Sequence, residues 1–373
     1  MVNLKLKSAR LVLAALAILV GCSRPNLPVP PPPTVVTPAR PANLPTNTPS
    51  PVVSESPPVA STETKSELPI GPPKTAVDQE LRALVEKLAR KEGKKWTINE
   101  EAKARLEALG PAAVDQLLPL LSDESVDVRR GAAFQLLPVA NSRDDLAQAF
   151  THLLGDADVS IRGIALAAVG QFKPAQKVAA SADIARLLAN EQGDEQQRVA
   201  AAKLLGDIGN EAAAYLPRLA ALAANDSSVA VRSAVLLAIS KIAEPGAAVG
   251  LLVKSLADRD AAVRLAALRR LRELGREAAP AATELGQLLD DQDEKVRRTA
   301  AEALVRIGSP SVPIFTAHLA SKSSETRELC AYALGKMGSV AKPALPELKK
   351  RLGDSDAKVK AAAQVAIVEI ELQ

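Results

Sequence analysis

The stretch DRDAAVRLAALRRLRELG, Asp258 to Gly275, decides the fold. It reads as an acidic turn, a helix with small residues along one face, and a glycine that stops the helix. With Arg264 as a marker, the same pattern recurs around Arg129, Arg162, Arg198, Arg232, Arg297, Arg327 and, with lysine in its place, Lys360. The steps between successive markers are 33, 36, 34, 32, 33, 30 and 33 residues. A near-constant period of this length marks a solenoid of stacked repeats.

Working outward from the marker gives the physics of each repeat. Six residues before it stands Asp123, Asp156, Asp226, Asp258, Asp291 or Asp354, with Gln192 and Ser321 breaking the series. Three residues after it the side chain is small: Ala132, Ala165, Ala201, Val235, Ala267, Ala300, Cys330 or Ala363. Seven after it comes Leu136, Val169, Leu205, Ile239, Leu271, Leu304, Leu334 or Ile367. Offsets of three and seven share one helical face, so this stripe is the candidate core. Eleven after the marker, Gly209, Gly275, Gly308 and Gly338 supply the helix stop. Pro280, Pro313 and Pro343 suit a first helical turn, whereas Pro119, Pro217 and Pro346 fall deeper and predict kinks. Aromatics make up only 2% of a chain that is 47% hydrophobic, which favours alanine- and leucine-rich helix over sheet. The expected fold is all-α, a solenoid of about eight helix pairs.

Two helices per repeat, an Asp-to-Arg junction, an alanine-rich second helix and a glycine end resemble HEAT repeats, in the short form found in phycobilisome-lyase-like proteins. The resemblance covers about residues 100–373. It implies a ladder in which the aspartates cap helix N-termini and the arginines bridge neighbouring repeats. The ladder residues would be Asp123 with Arg129, Asp156 with Arg162, Asp226 with Arg232, Asp258 with Arg264, and Asp291 with Arg297. It also implies that the second helices line a concave side.

The N-terminal quarter has another character. Lys5, Lys7 and Arg10 precede an apolar run from Leu11 to Val20 and a Gly21-Cys22 finish, the layout of a secretory signal peptide. The run is too short to cross a hydrocarbon core that needs about 20 residues. Leu19-Val20-Gly21-Cys22 resembles the bacterial lipobox, which implies lipidation of Cys22 after removal of residues 1–21. Residues 22–75 are rich in Pro, Thr and Ser, including the run Pro30 to Pro33, and read as a disordered linker. Residues 76–110 are expected to be N-terminal capping helices, AVDQELRALVEKLARKEG among them, and 111–373 the repeat solenoid. The expected location is the cell envelope, as a membrane-anchored lipoprotein, periplasmic or cell-surface. Ser23 after the cysteine resembles outer-membrane sorting in a host with two membranes.

Charge and chemistry narrow the function. The chain carries 47 Lys and Arg against 43 Asp and Glu, but seven of the cations and only three of the anions lie before residue 76. The repeat region is therefore neutral, which argues against nucleic acid as a partner. His152 and His318 lie five repeats apart, the acidic run Asp290 to Glu294 lacks the glycine of a calcium loop, and no phosphate-cradling loop is present. Cys330, where sister repeats have alanine, reads as a buried small hydrophobe. No catalytic residue, metal, cofactor or small-molecule substrate is expected. A protein-binding scaffold is the leading reading. A lyase-like enzyme or enzyme subunit, or an array binding acidic envelope polymer through arginines, are the alternatives. The positions five after the marker vary from repeat to repeat and supply the candidate contacts Phe134, Leu237, Arg269 and Tyr332, with Arg270 and Arg272 beside them.

Overall fold

The computed structural model describes residues 76–92, 95–110 and 113–372. The signal segment, Cys22 and the proline-rich linker lie outside them. The chain opens with α1 (Ala76–Leu88), an antiparallel hairpin of β1 (Ala89–Glu92) and β2 (Lys95–Ile98), and α2 (Glu100–Ala108). Eight helix pairs follow. They are α3 (Ala113–Leu117) with α4 (Val126–Leu136), and α5 (Asp144–His152) with α6 (Val159–Gly170). In the third pair the first helix is split into α7 (Pro174–Ala179) and α8 (Ser181–Leu188), followed by α9 (Glu195–Ile208). Next come α10 (Leu216–Asn225) with α11 (Val229–Ile242), and α12 (Pro245–Val253) with α13 (Ala261–Leu274). The last three are α14 (Ala282–Gln287) with α15 (Glu294–Ile307), α16 (Val312–His318) with α17 (Ser324–Lys336), and α18 (Leu345–Arg351) with α19 (Ala357–Leu372). The split first helix accounts for the longest step between markers.

The stripe of small and large aliphatic residues at offsets three and seven is buried in every pair, from Ala132 and Leu136 to Ala363 and Ile367. It forms one continuous core along the stack, as a solenoid requires, because a single pair cannot bury its own apolar face. Second helices pack on second helices: α9 on α11, α13 on α15 and α17 on α19. At the start of the array α1 takes this role and packs on α4.

Three local features differ from the sequence reading. The helix beginning at Ala76 stops at Leu88 instead of running through residue 93, and β1 pairs with β2 from Ala89↔Ile98 to Glu92↔Lys95. Lys87, Arg90, Lys91, Lys94 and Lys95 would place like charges four apart on a continued helix, which disfavours it. The next residues, Trp96, Thr97 and Ile98, favour strand. The amide of Asn99 donates to the Leu88 carbonyl at 2.9 Å and closes the excursion.

The prolines differ as well. A seven-residue 3-10 turn begins at each of Gly209, Gly275 and Gly338. Pro280 and Pro343 lie within those turns, and the α-helices begin only afterwards. Pro217 and Pro346 are thus the second residues of α10 and α18, in the first turn where an amide donor is not needed, and they kink nothing. Pro313 is likewise the second residue of α16. Pro119 does break its helix, since α3 ends at Leu117 and a 3-10 turn carries the proline.

The glycine stops have a backbone reason. Gly209 has φ 78°, ψ −144° and Gly275 has φ 59°, ψ −121°. An L side chain is excluded from that region by its Cβ.

The third difference is in the caps. The ladder aspartates stand two residues before the N-caps and do not fill them. The capping side chains are Asp158, Asp194, Ser228, Asp260, Asp293 and Ser323, each accepting from backbone amides two or three residues on.

Candidate functional site

The junctions are built on arginine–carboxylate rungs. Arg129 donates from Nε and Nη2 to the Asp156 carboxylate at 2.7 and 3.1 Å. Its Nη1 donates to the carbonyl of Asp123 in its own repeat at 2.8 Å. The same fork joins Arg232 to Asp258 at 2.9 Å twice, and Arg327 to Asp354 at 2.9 and 2.7 Å. Arg264 reaches Asp291 at 2.8 Å. Each of these aspartates also accepts the amide two residues on, as Asp258 does from Asp260 at 2.8 Å. Planar bidentate pairing of this kind fixes direction as well as distance, so the rungs set the stacking register.

Where the aspartate series is broken, other residues substitute. Arg162 donates to the Gln197 side chain at 3.1 Å, and Arg297 to Glu325. Arg198 pairs with Asp226 in the most buried rung, with side chains 3% and 0% exposed, and also donates from Nε to the Leu188 carbonyl at 2.9 Å. The ladder starts one rung earlier than the markers indicate, because Arg82 of α1 grips Asp123 at 2.9 and 3.0 Å.

These contacts make the junctions acid-sensitive. Hydrogen bonds from Arg327 hold the Asp354 carboxyl at about 2, aided by the Asp356 amide and opposed by burial. At Asp258 and Asp123, burial works against the charge, but the Arg232 and Arg82 guanidiniums outweigh it and the pKa is lowered. A depressed folded pKa contributes stability that is complete above the ordinary aspartate range, near 3.9, and is lost as pH falls through the folded value. Thermal melts are therefore expected to hold steady down to about pH 5 and to fall between there and about pH 2. Asp354→Asn should remove part of that slope.

The second helices of the last four pairs form a groove of about 850 Å³. Tyr332, 56% exposed on α17, stands in it between Val305 of α15 and Ala362 of α19, with Leu329 one turn away. Lys336 Nζ lies 5.2 Å from the Tyr332 ring centroid, a cation–π distance, and 2.9 Å from Glu369. The rim is charged. Arg272 is held by Glu302, Arg297 by Glu325 and, at 2.8 Å, Arg298 by Glu294. Arg306 and Lys358 also line the groove, and among the described residues no ion pair engages either one. An aromatic with apolar neighbours inside a charged rim is the composition of a protein-contact surface.

The groove brings together Arg272 and Tyr332 and leaves the other candidate contacts elsewhere. Phe134 is a correction: it is only 9% exposed and belongs to the core of α4, because the cap helix α1 packs over that part of the array. Leu237 is half-buried in α11. Arg270 turns to Glu273 of its own helix at 2.8 Å, and Arg269 is exposed outside the groove. Arg270 and Arg272 of the arginine cluster thus already have carboxylate partners. Sequence reasoning missed Val305, Leu329 and Lys336; the first two lie eight and two residues after their markers, positions whose occupants change from repeat to repeat.

Of the remaining candidates for chemistry, His318, the acidic run and Cys330 have structural roles. His318 Nδ1 lies 2.9 Å from the Ile314 carbonyl and Nε2 3.7 Å from Asp290. In the acidic run, Asp290 accepts from Ser321 at 3.0 Å, Asp291 is a ladder rung and Asp293 an N-cap. Cys330 is fully buried, and burial pushes its thiol pKa up. His152 borders a cleft of about 470 Å³ with Asp144, Gln176 and Asp183, where Gln176 donates to Asp144 at 2.9 Å. Among the described residues no three His, Cys, Asp or Glu side chains are placed to hold a metal ion.

Residues 282–367 match a family model described as HEAT repeats. No curated protein matches the chain. Among solved structures, importin beta aligns at 16% identity and a TM-score of 0.50, covering 79% of this chain and 47% of its own. The Escherichia coli protein YibA aligns at 20% identity and a TM-score of 0.43, covering 76% and 99%. Human deoxyhypusine hydroxylase, solved with glycerol, aligns at 22% identity and 0.30, covering 72% and 100%. Likeness at these identities concerns the fold.

Proposed function

We propose that this chain, an all-α HEAT-repeat protein, is a non-catalytic scaffold that binds a protein partner in the groove of its second helices and is held at the cell envelope by a lipid on Cys22. The observation that carries the reading is Tyr332: a half-exposed aromatic in an apolar strip, on an array whose ladder charges are already committed to stacking. A HEAT solenoid is consistent with a scaffold or interaction role, and it offers an extended surface in place of an enclosed pocket. The lipobox-like tetrapeptide, the short apolar run before it and the proline-rich segment after it support an anchor on a spacer, so that the groove meets its partner away from the bilayer. Two acyl signals hold a protein on a membrane where one does so only marginally. On a chain of neutral repeats, a partner recognised by shape and an aromatic anchor fits better than one recognised by net charge.

The test is co-purification from detergent-solubilised membranes. A protein should be recovered in stoichiometric amount with the wild-type chain, and Tyr332→Ala with Arg306→Glu should reduce its recovery by roughly tenfold or more. Equal recovery with the variant would show that the groove is not the contact. The anchor has a separate readout: Cys22→Ala is expected to abolish fatty-acid labelling and release the chain from membranes, and unchanged labelling contradicts lipidation.

A further inference from the structure

The last second helix, α19, carries an apolar face that the groove does not use. Val365, Val368 and Leu372 are 54%, 50% and 81% exposed, and Ala361 on the same face is exposed as well. Spacings of four, three and four residues place these side chains along one seam of the helix. At the positions equivalent to 361, 365 and 368, the three preceding second helices carry charge. They have Glu328, Tyr332 and Gly335 in α17, Arg298, Glu302 and Val305 in α15, and Leu265, Arg269 and Arg272 in α13. Only α19 among these four is uncharged at all three positions and exposed. In α17 the position equivalent to 368 is covered by α19, so closely that a Cβ on Gly335 would lie 2.9 Å from Ala366 Cα, whereas Tyr332, the equivalent of Val365, stays 56% exposed.

We propose that the α19 seam is the contact between two copies of this chain, packed as antiparallel α19 helices about a two-fold axis. The seam complements itself in size. An axis passing between Ala366 and Ile367 sets Leu372 over Ala361 of the second copy and Val365 over Val368, so the largest side chain meets the smallest. It also complements itself in charge. Lys358 and Lys360 stand at the start of the helix, Glu369 and Glu371 at its end. An antiparallel pair lays the basic end of one copy beside the acidic end of the other, whereas a parallel pair would set like charges together. Glu371 and Glu369 already meet Lys349 at 3.3 Å and Lys336 at 2.9 Å. These are solvent-facing pairs that exchange partners at little cost. One patch serves both copies, as a two-fold contact requires, and Ala361, Val365, Val368 and Leu372 do not themselves line the Tyr332 groove, so separate substitutions address self-association and partner binding.

Sedimentation of the purified full chain tests this over a range of concentrations. The wild type should sediment as a dimer. Val368→Lys, an exposed substitution that leaves helix content unchanged, should weaken association by roughly a hundredfold by burying an unpaired charge. Val365→Glu combined with Val368→Lys should restore the dimer, because each glutamate then faces a lysine of the other copy. A monomeric wild type, or a Val368→Lys chain that dimerises as the wild type does, overturns the proposal. A double variant that stays monomeric overturns the antiparallel register on which it stands.

Discussion

Asp226→Ala is expected to destabilise the repeat array by about 3–5 kcal/mol, the cost of breaking a buried ion pair by removing one partner. The substitution leaves the Arg198 guanidinium buried without its carboxylate and deprives the Ser228 amide of its 2.9 Å acceptor. Arg232 meets Asp226 through the backbone carbonyl, at 2.8 Å, and keeps its fork on Asp258, so that rung survives. Denaturant unfolding followed by circular dichroism gives the loss. The internal comparison is Asp123→Ala, whose partner Arg82 is 29% exposed; water can solvate the stranded arginine there, so the cost should be nearer 1 kcal/mol. Adding Arg198→Met to Asp226→Ala should recover part of the stability, because an apolar side chain leaves no buried charge behind. Equal losses at residues 226 and 123 would contradict the claim that burial sets the strength of each rung.

Gly131→Ala is expected to detach the N-terminal cap. A Cβ at residue 131 would sit 2.1 Å from the Val85 carbonyl oxygen and 2.9 Å from its carbon. Both atoms are backbone of α1, and Val85 is fully buried. No rotamer change relieves the clash, so α1 must shift away from α4, at a cost of about 1–3 kcal/mol or more. Hydrogen exchange should show lost protection over residues 76–88 with unchanged protection over 229–372, since each pair in a solenoid contacts only its neighbours. Gly170→Ala is the matched control. A Cβ there meets nothing within 4 Å, and the change should stabilise the chain by about 0.5–1 kcal/mol.

How much of this was legible in the sequence depends on how local the cause is. The arginine markers, the small-and-large stripe and the glycine stops repeat at fixed offsets, and a repeated pattern exposes its own function: Gly209 and Gly275 stand where only glycine fits the backbone. The aspartates repeat too, but their position alone did not distinguish an N-cap from a turn two residues earlier. The capping positions are filled by both Asp and Ser, which dilutes their signal. Pro217 and Pro346 were misread because the 3-10 turns that delay their helices have no sequence mark beyond the glycine that opens them. Arg82 was invisible as a rung because α1 precedes the periodic region and a hairpin interrupts the spacing. The site was least legible of all. Sequence variation singled out Phe134 and Tyr332 alike, and burial alone separates the core residue from the exposed one. The arginines of α13 looked like a patch until their partners, Glu273 within the helix and Glu302 on the next, came into place.

The central claim, that a protein partner is bound in the groove of the second helices, is tested most directly by site-specific photo-cross-linking in intact membranes. One cross-linker replaces Tyr332 in the groove, and another replaces Lys350, exposed on the first helix α18. The expected result is a single heavier protein adduct from position 332, diminished by Arg306→Glu, and none from position 350. An adduct from position 350 with none from 332 would contradict it.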